Sequence, residues 1–347
     1  MTRLDVAVRG GATYTTGMAP RITLTTDFGT RDPYVAQVKA ELYARGPETL
    51  EVIDLTHEIE PQNVREAALF VRAAWPRFPP GTIHVVVVDP GVGSARRAVA
   101  VAHRGHWLLA PDNGVLSFLL DTGAARGLAA DGGSEERCAD GDGGDDRTVA
   151  RARARGSAAD VGIDQRVVVG RDECGVIAGG GSIVPDAATH AVAIDVPGLA
   201  RLAGLGRISS TFHGRDVFAP AAALLARGFG LVQLGPVVDD LVRLPWPEPE
   251  RASGSVRGEI VHVDRFGNLI SNLPQTLLAA HSDGRGVSLR LRSGAACSFV
   301  GCYADAPADV PVALVGSSEL IEVAVRNASA QSLTGARVGD SIWLDGV

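Results

Sequence analysis

Three polar clusters carry residue types that do chemistry: TTDFGTRD (25–32), VDPGVGSARR (88–97) and STFHGRDVFAP (210–220). Asp27 and Asp32 offer acceptors for vicinal hydroxyls such as those of a ribose; the plainer alternatives are a turn aspartate and a helix cap. DPGVG is a tight turn whose glycines allow close backbone approach. Asp89 and Arg96 emerge from either side of it, as working groups or as a surface ion pair. His213 sits between Phe212 and Gly214, just ahead of an apolar helix. A lone histidine is usually structural; the company of Arg215 and Asp216 in an apolar stretch singles this one out. Sequence alone does not bring it to Asp89.

Other familiar strings fail on inspection. Asp27-Phe28-Gly29 spells a kinase magnesium motif, but no HRD loop precedes it and no Gly-rich loop with a strand lysine exists. Neither GVGSAR nor GLGRIS completes GxGxxG, and GxxxxGK[ST], GxSxG and HExxH are all missing. The cysteines Cys138, Cys174, Cys297 and Cys302 have no zinc spacing. No metal or cofactor is expected. Lys39 is the only lysine, so lysine chemistry has a single candidate.

The elements that must position these clusters alternate. A β-rich run from Ile22 to Thr26 leads into Asp27; Asp32-Pro33 reads as N-cap and first helical residue, with Val35, Val38 and Leu42 at helical spacing and Gly46 as a stop. A strand over Leu50 to Asp54 precedes a helix opened by Asn63 with Glu66, a capping box. Ile83 to Val88 is apolar almost throughout, as in a strand covered on both faces. This β-α-β-α-β order predicts an α/β domain with a mainly parallel sheet, whose ligands bind beyond the carboxyl ends of the strands. The stretch 124–186, dense in Gly, Asp, Ala and Arg, reads as a low-complexity surface insertion, alternatively a lid or partner loop. Structure resumes at Ala191, and Phe218 to Gly228 reads as a helix. LPWPEPE (244–250) looks like a linker, followed by period-two strands over Glu259–Val263, Val287–Leu291, Val312–Val315 and Leu320–Val325. The expected organisation is a flexible leader (1–20), an α/β domain (21–243), a linker (244–251) and a smaller all-β, barrel-like domain (252–347).

Composition fits a globular enzyme of two domains. The 347 residues are 46% hydrophobic and 21% charged, enough to bury large cores. With 33 basic against 40 acidic residues the net charge is −7, which argues against a nucleic-acid partner. No apolar run is long enough for a membrane span and the first 20 residues are too polar for a signal peptide, so a cytoplasmic location is expected.

Six blocks in order, TTDFGTRDPYVAQVKA, DLTHEIEPQNVREAA, VDPGVGSARRAVAV, APDNGVLS, STFHGRDVFAPAAA and VDRFGNLISN, resemble the S-adenosyl-L-methionine (SAM) hydroxide adenosyltransferases. These are the hydrolase branch of the SAM-dependent fluorinase/chlorinase superfamily. The resemblance implies an N-terminal α/β domain, a C-terminal β-barrel-like domain, and a homotrimer holding SAM, the substrate, between one subunit's N-terminal domain and its neighbour's C-terminal domain. It implies that Asp27 and Asp32 meet the ribose, Asp264 the methionine ammonium and Asn268 the adenine edge, with Phe212 also at the substrate. Ser317 would approach the methionine carboxylate, and the backbone around Arg326 to Ala328 the adenine. One departure is that a Gly-aromatic pair of the last block is Glu319-Leu320 here. The resemblance also implies the branch, since halogenases carry a tyrosine at the position of Asp89 and fluorinases a serine at that of Gly214. Hydrolases show the Asp-Arg-His set matched by Asp89, Arg96 and His213. An anionic Asp89 repels halide and accepts a hydrogen bond from water.

Overall fold

The computed structural model describes residues 19–120, 189–252, 254–278 and 286–346. The leader up to residue 18 and the segment 124–186 lie outside the described residues.

Seven strands form the first sheet: β1 (Arg21–Thr26), β2 (Glu51–Thr56), β3 (Ile83–Val87), β4 (Ala98–His103), β5 (His106–Pro111), β6 (His190–Ala193) and β7 (Val237–Val238), in the order β2-β1-β3-β5-β4-β6-β7. The β1–β2, β1–β3 and β3–β5 pairs are parallel. A hairpin then reverses the chain: β4 is antiparallel to both β5 and β6, and β6 to β7. Five strands therefore share one direction while β4 and β7 oppose it, a mixed but mainly parallel sheet. Helices α1 (Tyr34–Arg45) and α2 (Val64–Ala74) are the first two crossovers; α3 (Ser117–Leu120), α4 (Val196–Leu202) and α5 (Ala219–Ala226) follow. One core gathers Val38, Leu42 and the wholly buried α5 against Ile22, Leu24, Val85 and Leu109. A second, on the other face, packs Ala67, Ala68 and Val71 of α2 against Val86, Val99 and Leu108.

Local signals were honoured unevenly. Helix α1 begins at Tyr34, with Pro33 at the cap position and no side-chain capping bond, so Asp32 is an exposed loop residue rather than an N-cap. Asn63 does cap α2, its Oδ1 accepting from Glu66 N at 3.0 Å; the return bond of a capping box is absent because Glu66 Oε2 accepts from Glu60 N at 2.8 Å. A π-helical turn over Gly214–Phe218 precedes α5, so helical structure begins ahead of Phe218.

The C-terminal sheet comprises β8 (Glu250–Ala252), β9 (Ser255–Val263), β10 (Leu269–Pro274), β11 (Ser288–Leu291), β12 (Ala296–Ser298), β13 (Pro311–Val315), β14 (Leu320–Val325) and β15 (Ser341–Asp345). Its order is β12-β11-β15-β9-β10-β14-β13, with β8 beside β9, all antiparallel. A bridge from Phe299, just past β12, to Ala313 on β13 brings the two edges together into a nearly closed barrel. Inside lie Ile260, Leu269, Leu289, Ile321, Val323 and Leu344, and α6 (Ala330–Thr334) follows β14. The Pro-rich joint is packed rather than loose. Trp246 is 9% exposed, edge-on to Phe118 at 4.9 Å, and Asn272 Nδ2 donates to Pro247 O at 2.5 Å. Helix α2 docks on the barrel through Arg65–Glu259 at 3.0 Å and Phe70 against His262 at 5.2 Å.

Three histidines of adjacent strands, His84 on β3, His103 on β4 and His106 on β5, gather round Trp75 and Phe78. His84 bridges Thr23 Oγ1 at 2.8 Å and His106 Nδ1 at 3.2 Å. Burial pushes His84 down to about 3 and His103 and His106 down to about 4. The unfolded chain takes up these protons near pH 6.5, whereas the folded chain does so only well below. Their stabilising effect is thus fully present above about 6.5 and declines as pH falls toward 4, by up to about 1.4 kcal/mol per pH unit for each histidine. Urea midpoints from pH 7.5 to 4 check this; a flat profile would contradict it.

Candidate functional site

The carboxyl end of β3 leads through Val88 into the DPGVG turn. That turn is closed by Val92 N to Asp89 O at 3.2 Å and Ser94 N to Gly91 O at 3.1 Å, and Asn113 Nδ2 anchors Val88 O at 2.9 Å. Asp89 and Arg96, seven residues apart, fold back on each other. Arg96 Nε donates to Asp89 Oδ1 at 2.9 Å and Nη2 to Oδ2, a bidentate pair with side chains only 6% and 11% exposed. Nη2 also meets His213 Nδ1 at 3.1 Å, and the guanidinium lies 5.6 Å over Phe218. Asp89, Arg96 and His213 are one cluster, drawn from loops 117 residues apart in the chain.

The contact fixes a tautomer. A guanidinium has no lone pair to give, so His213 Nδ1 is the acceptor and the neutral ring carries its proton on Nε2. Burial and the charge of Arg96 lower the His213 pKa, outweighing Asp89 and Asp216. The ring therefore stays neutral below the usual histidine range.

Gly93 is where the two loops touch. At φ +77°, an added Cβ would fall well inside contact distance of Ser210 O. Gly93→Ala is expected to push the DPGVG turn off the His213 loop and cost at least tenfold in turnover while the fold survives, because misplacing reacting groups by about 1 Å is worth up to 10²-fold. Steady-state kinetics alongside circular dichroism check this.

Phe28, Tyr34 and Phe212 form an edge-to-face aromatic collar, with ring centres 5.3–6.1 Å apart. A Cβ at Gly214 would sit 3.2 Å from Phe28 Cζ and 3.4 Å from Phe212. The collar thus leaves little room for any side chain there. Phe28 and Tyr34 were not singled out from sequence, although DFGTRDPY displays both. Asp27 closes β1, and its Oδ2 accepts from Gln62 N at 2.9 Å. His57 braces that loop through Thr26 Oγ1 at 2.9 Å and through its carbonyl to Gly29 N at 2.7 Å. Lys39 pairs with Asp54 at 2.6 Å, on the β2 side of the sheet.

A second group lines a cleft of 1210 Å³ between α2 and the barrel. It includes Asp264, Asn268, Ser317, Arg326 and Ala328, together with Arg72, Tyr303 and Glu322. Asp264 organises the β9–β10 turn: Oδ1 accepts from Phe266 N and Asn268 N at 2.9 and 2.8 Å, and Oδ2 from Asn268 Nδ2 at 2.9 Å. Three donors leave this carboxylate one of its roughly four acceptor positions. Glu322, only 5% exposed, accepts from Tyr303 Oη, and burial raises its pKa. Glu319 has φ +61°, the left-handed region where glycine is at ease, and Leu320 beside it is buried.

The cleft is lined by none of Asp27, Asp32, Asp89, Arg96, Phe212 and His213. The two groups of residues are thus separate on one chain, with Phe266 at the cleft 76% exposed and Tyr34 on the collar 46% exposed. Among the described residues no group of three or more His, Cys, Asp or Glu is placed to hold a metal ion, and no helix is long and apolar enough to cross a membrane.

A mainly parallel α/β domain joined to a nearly closed antiparallel barrel, with a part-buried Asp-Arg-His cluster on the first and a cleft lined by both acidic and basic side chains on the second, defines the protein class. Residues 22–135 match the SAM hydroxide adenosyltransferase N-terminal domain and residues 258–343 the C-terminal domain. The chain belongs to the SAM hydroxide adenosyltransferase family. It is 35% identical to the (R)-S-adenosyl-L-methionine hydrolase of Thermus thermophilus, over 92% of this chain and 96% of that one. It is 32% identical to the protein of the same name from Salinispora arenicola, over 93% and 97%. A crystal structure of an uncharacterized conserved protein from Thermotoga maritima superposes with a TM-score of 0.69 at 27% identity, covering 93% of this chain and all but 1% of that one, 99%.

Proposed function

We propose that this protein is an enzyme that hydrolyses SAM to adenosine and L-methionine. Water attacks C5′ in line with the departing sulfur. The new O–C5′ bond forms as the C5′–S bond breaks, the pair of electrons stays on sulfur as methionine's neutral thioether, and the water's proton is released. A sulfide needs neither protonation nor a Lewis acid in order to leave, so no cofactor is called for. The protein's task is to position a water and support its proton loss.

The observation that carries this reading is the part-buried Asp89–Arg96–His213 cluster beside the aromatic collar. Within it Arg96 has no lone pair and His213 Nδ1 is taken up by Arg96, which leaves Asp89 to accept the water's proton. Arg96 stabilises charge developing on oxygen, and His213 holds Arg96 in place. Asp89 disfavours a halide at that position, which sets the halogenase alternative aside, and the crowding over Gly214 agrees. Asp27 is assigned to the ribose hydroxyls with Asp32 at its rim, and Phe212 to a face of the substrate. On the cleft side Asp264 is assigned to the ammonium, Asn268 and the Arg326–Ala328 backbone to adenine, and Ser317 to the carboxylate.

The working form is proposed to be a cytoplasmic homotrimer in which the Asp89 half-site of one subunit closes on the Asp264 cleft of the next. The support is the separation of the two half-sites on one chain and the exposed aromatics on both. Mass spectrometry of SAM incubated with the purified protein tests the activity. Adenosine and methionine are expected in chloride-containing and chloride-free buffer alike; 5′-chloro-adenosine formed only with chloride would establish the halogenase instead, and bound but uncleaved SAM a binding protein.

A further inference from the structure

Arg72, on the face of α2 turned to the barrel, has no part in the assignments above. Its guanidinium carbon lies 4.8 Å over the Trp246 ring, and the side chain lines the same cleft as Asp264, Ser317 and Glu322. Among the described residues no hydrogen bond and no ion pair within 4 Å engages it. Burial lowers its pKa, and the one charge acting against this is Glu319, too far away to bond. A guanidinium held over an indole by a cation–π contact spends no N–H donor on it, so its N–H groups stay available to an anion. A half-buried cation left without a hydrogen-bonded anion is costly, which is a reason to expect a ligand to supply one.

The opposite wall carries the complementary charge. Asp264 keeps one acceptor position, and Glu322 sits behind Tyr303 in the same cleft. Acid on one wall and an unpaired guanidinium on the other match the two ends of an α-amino acid zwitterion.

We infer that Arg72 receives the α-carboxylate of the substrate's methionine end, so that the cleft selects sulfonium compounds that carry an intact amino acid. This rests on the proposed placement of SAM in the cleft. It adds to Ser317 a charged partner that comes from the N-terminal half of the chain. Trp246, which gives the packed joint its anchor, thereby also orients the recognition group.

The test compares SAM with its decarboxylated analogue, in which hydrogen replaces the carboxylate, by calorimetry and by turnover. Wild-type protein is expected to bind SAM at least about tenfold more tightly than the analogue, since a charge-assisted bidentate contact is lost. R72Q should raise KM and Kd for SAM by about tenfold or more, leave kcat within about twofold, and leave the analogue unaffected. R72K should restore part of the difference, because it returns the charge without the fork. Equal affinity of the wild type for both ligands overturns the inference even if no variant folds, and so does an R72Q defect that is the same for both ligands. SAM bound in an Arg72-dependent way but never cleaved would overturn the hydrolase reading alone. Absence of SAM binding by the wild type would overturn both.

Discussion

Asp89→Ala is expected to lower the turnover of SAM by about 10²–10⁴-fold, the usual worth of a positioned base, while SAM binding changes little. Arg96→Ala should fall in the same range. Its loss removes the donors that fix both Asp89 oxygens and His213 Nδ1, and it leaves Asp89 largely buried without its counter-charge. His213→Ala should also lower kcat, and double variants should cost little more than the worst single one, because the three side chains are proposed to act on one water as a unit. The pH dependence has a definite sign. Protonating His213 would turn its Nδ1 into a donor facing Arg96, so activity should persist below the usual histidine value of about 6.5 before it falls. In His213→Gln that acid limb should be missing. Asp27→Ala reverses the pattern by weakening SAM binding first. Three variants with near-normal turnover would remove the water site from this cluster.

The second large effect concerns assembly. Asp89→Ala and Asp264→Ala proteins, each expected to be strongly impaired alone, should recover activity when their subunits are exchanged. In a one-to-one mixture, random assembly leaves up to about a quarter of the interfaces with both halves intact. The arithmetic requires a site built from two subunits, and a site within one chain would give none. Activity assays after denaturation and joint refolding, with exchange verified by differently tagged subunits, make the measurement. Zero recovery despite verified exchange would contradict the between-subunit site.

Much of this was legible in the residues because local chemistry and tertiary need coincide. The apolar run 83–88 lies on both buried faces of the sheet, and the glycine of DPGVG that permits close approach is the one that meets Ser210. The reversal at β4–β5 was not legible. Both strands are buried at every position, so period two vanishes, and the turn between them is Arg104-Gly105 at φ +46° and +82° rather than the usual Asn-Gly. Strand β10 was hidden by Ser271 and Asn272, polar yet fully buried because Ser271 bonds to Ile321 O and Asn272 to Glu259 N and Pro247 O. Pairing of Asp89 with Arg96 follows from a short turn, but their meeting with His213 depends on how two remote loops pack, which no spacing encodes. Arg72 escaped notice for a similar reason: on α2 it reads as one more arginine of an amphipathic helix, and only the fold sets it against Trp246 and the cleft.

Incubation with SAM in water enriched in oxygen-18 reaches the central claim most directly. Attack of water at C5′ places one heavy oxygen in the 5′-hydroxyl of adenosine and none in methionine, at every pH where the enzyme turns over. Unlabelled adenosine, or label carried by methionine, would contradict displacement at C5′ by a water held at Asp89, Arg96 and His213.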